Sequence, residues 1–290
     1  MADIFIWQQN LWQKLTKGAE LPGHALLLKG KKGIGKYHFA RCLAQFLLCR
    51  EPLPTQEGRK KACGHCPGCG WFEHGSHPNF HAVLPEALTA ETTEAGQKED
   101  QAEKNTETGA KKSASQQIGI DQIRKLNDFV YLSGHQEGYK IVLIYPAAAM
   151  NPAAANALLK KLEEPPPHVM FLLVTHQAQH LLPTIRSRCQ SIAMPIPDIA
   201  TSVAWLTQHN VTDPEASLAA AGFSPLSALL FNEAQQAGYY DQFIKLICNA
   251  KRWDPVVIAA AMPQTDVALT VTWLQQWCYD LISYQKTRKI

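Results

Sequence analysis

The sequence has no uninterrupted apolar run of about 18 residues, the length a bilayer-crossing helix needs, so no membrane span or membrane partner is expected. Its first residues, MADIFIWQQNLWQ, lack the basic stretch and apolar core of an export signal, so a reducing, cytoplasmic setting is expected. It also lacks a surplus of charge. The 28 Lys and Arg residues stand against 25 Asp and Glu, a net charge of +3. A chain that holds nucleic acid by charge alone is usually far more basic. No internal repeat is evident. What remains is an ordinary packing composition, 46% hydrophobic and 18% charged over 290 residues, enough for about two domains.

The first half alternates short apolar runs with helical patterns. HALLLKG (24–30), NFHAVLP (79–85), KIVLIYP (140–146) and VMFLLVT (169–175) read as strands, the last two apolar enough to be buried on both faces. Between them, KYHFARCLAQFLLCR (36–50) places Phe39, Leu43, Phe46 and Leu47 on one helical face. DQIRKLNDFVYLSG (121–134) starts with Asp121 as an expected N-cap, and NPAAANALLKKLEEPPP (151–167) is a helix stopped by prolines. Repeated βαβ units of this kind predict an α/β fold, a parallel sheet with helices on both faces. Residues 86–117 interrupt it with almost no large apolar side chain, and predict a disordered loop insertion. After about residue 195 the strands stop and only helical patterns follow.

GKKGIGKY (30–37) fits the phosphate-binding pattern GxxxxGK[ST] at Gly30, Gly35 and Lys36, with Gly33 as an extra loop glycine. The loop joins a strand to a helix, as a phosphate cradle must. Then Tyr37 stands where a small hydroxyl residue normally holds Mg²⁺. A second part is missing as well. The strand KIVLI runs into Tyr145, Pro146 and three alanines, where an ATPase needs an acidic pair to hold Mg²⁺ and polarise water. With both parts lost, ATP hydrolysis by this chain is not expected.

Of eight cysteines, Cys63, Cys66 and Cys69 form CGHCPGC, a C-x2-C-x2-C spacing whose Gly- and Pro-rich turns bring thiolates toward one point. In a reducing compartment this predicts structural zinc and not disulfides. Cys49 is the choice for fourth ligand, with Cys42, His65 and His74 as rivals. A module over 49–75 would gain from the metal the order that its small core cannot supply. Further on, LLPTIRSRCQSIAM (181–194) places Arg186 and Arg188 in a polar stretch before a short strand, SIAM, and by spacing alone these are solvated surface charges.

Taken together, the sequence resembles the clamp-loader subunits of the AAA+ class. The resemblance runs through most of the chain and rests on HALLLKG with its degraded P-loop, LLCR followed by CGHCPGC, HPNFHAVLPE, NPAAANALLKKLEEPPP, FLLVTHQAQHLLPTIRSRCQ and AGFSPLSALLF. It implies an AAA+ α/β domain over 1–195, a helical lid over 196–237 and part of an all-α collar over 238–290 that continues beyond Ile290. Cys49, Cys63, Cys66 and Cys69 match the zinc ligands. Arg188 matches the arginine of the SRC motif, which completes the ATP site of an adjacent gamma or tau subunit. Thr175 falls at the sensor position, and AGFSPLSAL carries no sensing arginine. The implied partners are gamma or tau and delta subunits, with the sliding clamp and primed DNA reached through the complex. Two other readings stand beside it. One is an active P-loop ATPase of the gamma or tau kind; the other is a zinc-ribbon DNA-binding protein.

Overall fold

A computed structural model describes residues 3–17, 23–54, 60–89, 115–131, 138–233, 236–248, 254–261 and 267–287. The chain forms two compact units, one of Met1–Lys31 with Gly35–Ile196 and one of Lys32–Ile34 with Pro197–Ile290.

In the first unit, α1 (Gln9–Thr16) precedes β1 (Ala25–Lys29), α2 (Lys36–Leu48), the short strands β2 (Leu53–Pro54) and β3 (Lys60–Lys61), α3 (Pro67–Glu73) and β4 (Phe80–Val83). Then come α4 (Ile120–Tyr131), β5 (Lys140–Ile144), α5 (Pro152–Glu163), β6 (Val169–Thr175), α6 (Pro183–Arg188) and β7 (Gln190–Ala193). β2 and β3 pair antiparallel as a hairpin of their own. The main sheet runs β4-β5-β6-β1-β7, with every pairing parallel. The central strand β6 is buried along its whole length, as expected for a sheet covered on both faces. Its register sets Leu173 beside Leu27 of β1 and Phe171 beside Val142 of β5. Because parallel strands need crossovers, the C-terminal ends of β1, β5 and β6 finish on one edge, where open α/β sheets build their sites.

The helices follow from local chemistry. Asn151 caps α5 by accepting from the Ala154 N–H at 2.8 Å, and Pro152 starts it where no N–H is needed. Ala154, Ala155, Leu158 and Leu162 then bury one face against the sheet, in a core shared with Ile123 and Leu126 of α4. α4 begins at Ile120, so Asp121 lies in the first turn and not at the expected N-cap; there its negative charge favours the helix dipole. The predicted disorder of 86–117 is corrected at its flanks. Residues 86–89 are helical, and the Ala87 N–H donates to the Ser115 carbonyl at 3.2 Å, so the two ends close on each other. Residues 90–114 lie outside the described residues.

The second unit holds α7 (Ile199–Gln208), α8 (Pro214–Ala220), α9 (Pro225–Glu233), α10 (Gln236–Ile247), α11 (Pro255–Ala261) and α12 (Val267–Thr287). Asp198 caps α7 through the Thr201 N–H at 2.7 Å, and Asp213 caps α8 through the Ala216 N–H at 3.1 Å. One core gathers Leu206, Val211, Leu218 and Ala228; another gathers Ala220, Phe231, Phe243, Ile247 and Trp273. Among the described residues, no helix is long and apolar enough to cross a membrane.

Candidate functional site

The glycine-rich turn leaves β1 and opens α2. Gly33 (φ +78°) and Gly35 (φ +84°) take the left-handed conformation that glycine adopts without strain, and Gly35 is the N-cap of α2. Gly33 belongs with the second unit, where its carbonyl accepts from the Leu226 N–H at 3.1 Å. A Cβ at Gly35 would lie 2.5 Å from the Phe5 ring and 3.0 Å from Gln8 Nε2, so the N-terminal segment rests directly on this glycine. Spacing in the sequence offered no signal for that contact. Lys36 turns back and donates from Nζ to the loop's own Lys31 carbonyl. Its side chain is buried, and burial lowers its pKa to about 8.

Two residues that the sequence singled out, Tyr37 and Tyr145, meet. Tyr37, in the first turn of α2, stacks on Tyr145, which follows β5, with ring centroids 4.6 Å apart and planes 28° apart. Burial raises both phenol pKa values; Arg41 works against this at Tyr37, and Tyr37 adds to it at Tyr145. The pair therefore stays neutral. A hard divalent cation prefers carboxylate and other strongly donating oxygens, which this pair does not offer. Thr175, at the end of β6, is fully buried, and its Oγ1 accepts from the Gln177 N–H at 3.1 Å.

The cysteines form a separate centre. The sulfurs of Cys49, Cys63, Cys66 and Cys69 lie within 4.8 Å of one another, and all four residues are buried. Cys49 arrives from the end of α2. Cys66 is the N-cap of α3, its sulfur accepting from the Cys69 N–H at 3.4 Å. Two more N–H···S bonds run from Cys63 to Cys49 at 3.2 Å and from Cys66 to Cys63 at 3.3 Å. Backbone donors aimed at sulfur favour thiolates, the form that binds metal. Burial opposes ionisation of Cys66, yet the N–H groups of Cys69 and Arg50 and the thiols of Cys63 and Cys69 bring it down to about 6. Burial pushes Cys49 and Cys69 up. This four-sulfur donor set fits a closed tetrahedral site. The rivals stand apart. Cys42 lies 3.5 Å from His38 Nε2, His65 bonds to the Cys63 carbonyl at 3.1 Å, and His74 is exposed.

Arg188 ends α6. Its Nη2 lies 2.7 Å from Glu163 Oε1 at the end of α5, and its Nη1 donates to the Thr184 carbonyl at 3.1 Å. The side chain is 35% exposed. Glu163, 25 positions earlier in the chain (188 − 163), is a partner that spacing did not reveal.

A family profile described as DNA polymerase III, delta subunit, matches residues 7–198. A DNA polymerase III subunit delta' from Pseudomonas aeruginosa is 36% identical over 99% of this chain and 80% of its own length. The chain belongs to the delta-prime family of DNA polymerase III subunits. A second delta-prime relative, from Escherichia coli, is 33% identical over 69% of this chain and 51% of its own length. The chain thus spans between about half and four fifths of these two relatives. A DNA polymerase III gamma subunit-related protein from Thermotoga maritima superposes with a TM-score of 0.44 at 19% identity, covering 82% of this chain and 62% of the other. For this delta-prime member, the parallel sheet, the P-loop-type turn after β1 and the helices after β7 bear out the α/β fold class, with helices following the sheet, expected from the sequence.

Proposed function

We propose that this chain is a non-catalytic subunit of the DNA polymerase III clamp loader. It presents Arg188 to the ATP site of a neighbouring gamma or tau subunit. Together with a delta subunit, the assembly opens the sliding clamp and places it on primed DNA. The observation that carries this reading is the Tyr37–Tyr145 stack. Neutral phenols fill the positions where a working site keeps its Mg²⁺ hydroxyl and its acidic pair, so the hydrolysed nucleotide belongs to a neighbour. A planar, permanently charged guanidinium suits the charge that develops on a transferring phosphoryl group.

The same reading assigns Cys49, Cys63, Cys66 and Cys69 to one structural zinc. That metal would tie the β2–β3 hairpin and α3 to the end of α2. It also divides the remainder into a lid over 196–237 and part of a collar over 238–290, and sets the protein in the cytoplasm. The test is a reconstituted loader carrying Arg188→Ala. The variant should fold normally and lower clamp- and DNA-stimulated ATP turnover by at least about tenfold at the site it serves. Unchanged turnover overturns the reading.

A further inference from the structure

We propose that Glu163 is a positioning residue for Arg188, presetting the guanidinium for a phosphate on the neighbouring subunit. This rests on the reading of Arg188 given above. The two residues end different helices, and each is next in sequence to a buried anchor. Leu162 precedes Glu163, Cys189 follows Arg188, and both lie with Ile185 in one hydrophobic core. The helix ends are therefore held by packing, and only the charged tips face solvent.

Three contacts then orient the guanidinium. Nη2 meets Glu163 Oε1 at 2.7 Å, while Nη1 reaches the Thr184 carbonyl at 3.1 Å and Ser187 Oγ at 3.5 Å. A carboxylate at the C-terminal end of α5 opposes the helix dipole, and the Arg188 cation offsets that penalty. The pair is 35% and 48% exposed, and ion pairs this exposed are weak. Such a contact limits the rotamers of a long side chain yet yields to a triphosphate, whose negative charge is larger and more concentrated. A strong buried lock would withhold the arginine; this contact aims it.

The experiment reconstitutes the loader with full-length chains carrying Glu163→Ala, Glu163→Gln, Glu164→Ala, Arg188→Ala or Glu163→Ala with Arg188→Ala. Thermal melts of each chain check folding. The readout is clamp- and primed-DNA-stimulated ATP turnover, separated into kcat and KM. Glu163→Ala should lower kcat about two- to fivefold with KM unchanged, the range that a weak pair can supply. Glu163→Gln should recover most of the loss, because its amide oxygen still accepts from Nη2. Glu164→Ala removes the adjacent carboxylate and should change nothing. The double variant should match Arg188→Ala alone. If Arg188→Ala lowers kcat while Glu163→Ala leaves it at the wild-type value, the positioning role is wrong and the trans arginine stands. A kcat that rises in Glu163→Ala also overturns positioning, since the carboxylate then sequesters the arginine. If Arg188→Ala itself has no effect, the underlying reading of Arg188 fails.

Discussion

Tyr37 opens the second helix and Tyr145 follows the third strand of the sheet in chain order, yet their rings stack at 4.6 Å. Under the proposed reading, the Mg²⁺ hydroxyl and the acidic pair are both replaced, and the residues that replace them share a single packing contact. Restoring one partner therefore leaves the other in place. Tyr37→Ser alone should not create Mg²⁺-dependent nucleotide binding. A fluorescent ATP analogue titrated with and without Mg²⁺ checks this, and tight Mg²⁺-dependent binding would count against it. The stack should instead register as stability. A double-mutant cycle of Tyr37→Leu and Tyr145→Leu should give a coupling of about 0.5–1.5 kcal/mol in urea unfolding, the usual worth of an aromatic pair beyond its area.

Lys36 yields a pH signature. Its pKa is held down to about 8 by burial, against an ordinary lysine value of 10.5. Between those values the unfolded chain binds more protons than the folded one, so stability from this group rises with pH across the window. Below pH 8 the cost of burying the charge is present in full. Compared with Lys36→Met, the wild-type chain should be no more stable at pH 7 and should gain on the variant between about pH 8 and 10. Urea midpoints at several pH values give the difference; parallel curves would show that the lysine is not buried as a charge.

The cysteine centre predicts about one zinc per chain, measured by metal analysis after purification. Cys66→Ser should lose the metal, because its sulfur is both a member of the four-sulfur group and the N-cap acceptor of α3. Its melting temperature should fall, and cleavage should appear between residues 49 and 75 under limited proteolysis. Cys42→Ser, whose sulfur faces His38, should keep the metal. Zinc retained in Cys66→Ser would show that these thiols are not its ligands.

Much of the frame was readable because its signals are local. Apolar runs marked β1, β5 and β6, and glycine spacing marked the turn between β1 and α2. The prolines after Glu164 announced the end of α5. The triplet of Cys63, Cys66 and Cys69 was local too, but Cys49 stood as one choice among four. Cys63 lies fourteen positions further on (63 − 49), and only the packing of α2 brings the sulfurs together. The same reason hides Glu163 from Arg188 and Tyr145 from Tyr37: no periodicity links residues joined only by tertiary contact. At Glu86–Thr89, composition averaged over a long polar stretch concealed a short helical turn with its own hydrogen bonds.

The contact between Phe5 and Gly35 separates two costs that usually travel together. An alanine at Gly35 must adopt φ +84°, which costs about 1 kcal/mol or somewhat more for a residue with a Cβ. It must also place that Cβ 2.5 Å from the Phe5 ring, an overlap that forces the ring aside. Overpacking of this kind adds about 1–3 kcal/mol where the neighbour is held. Phe5 is held, stacked on Trp7 at 4.8 Å and against His38 at 4.9 Å. Gly35→Ala should therefore destabilise the chain by about 2–4 kcal/mol. In a Phe5→Ala background the same substitution should cost mainly the backbone part, about 1 kcal/mol, with a small adjustment of the Gln8 amide 3.0 Å away. Urea unfolding of the four chains measures both. Equal costs in the two backgrounds would mean that the ring moves aside freely and that the N-terminal segment does not press on the loop.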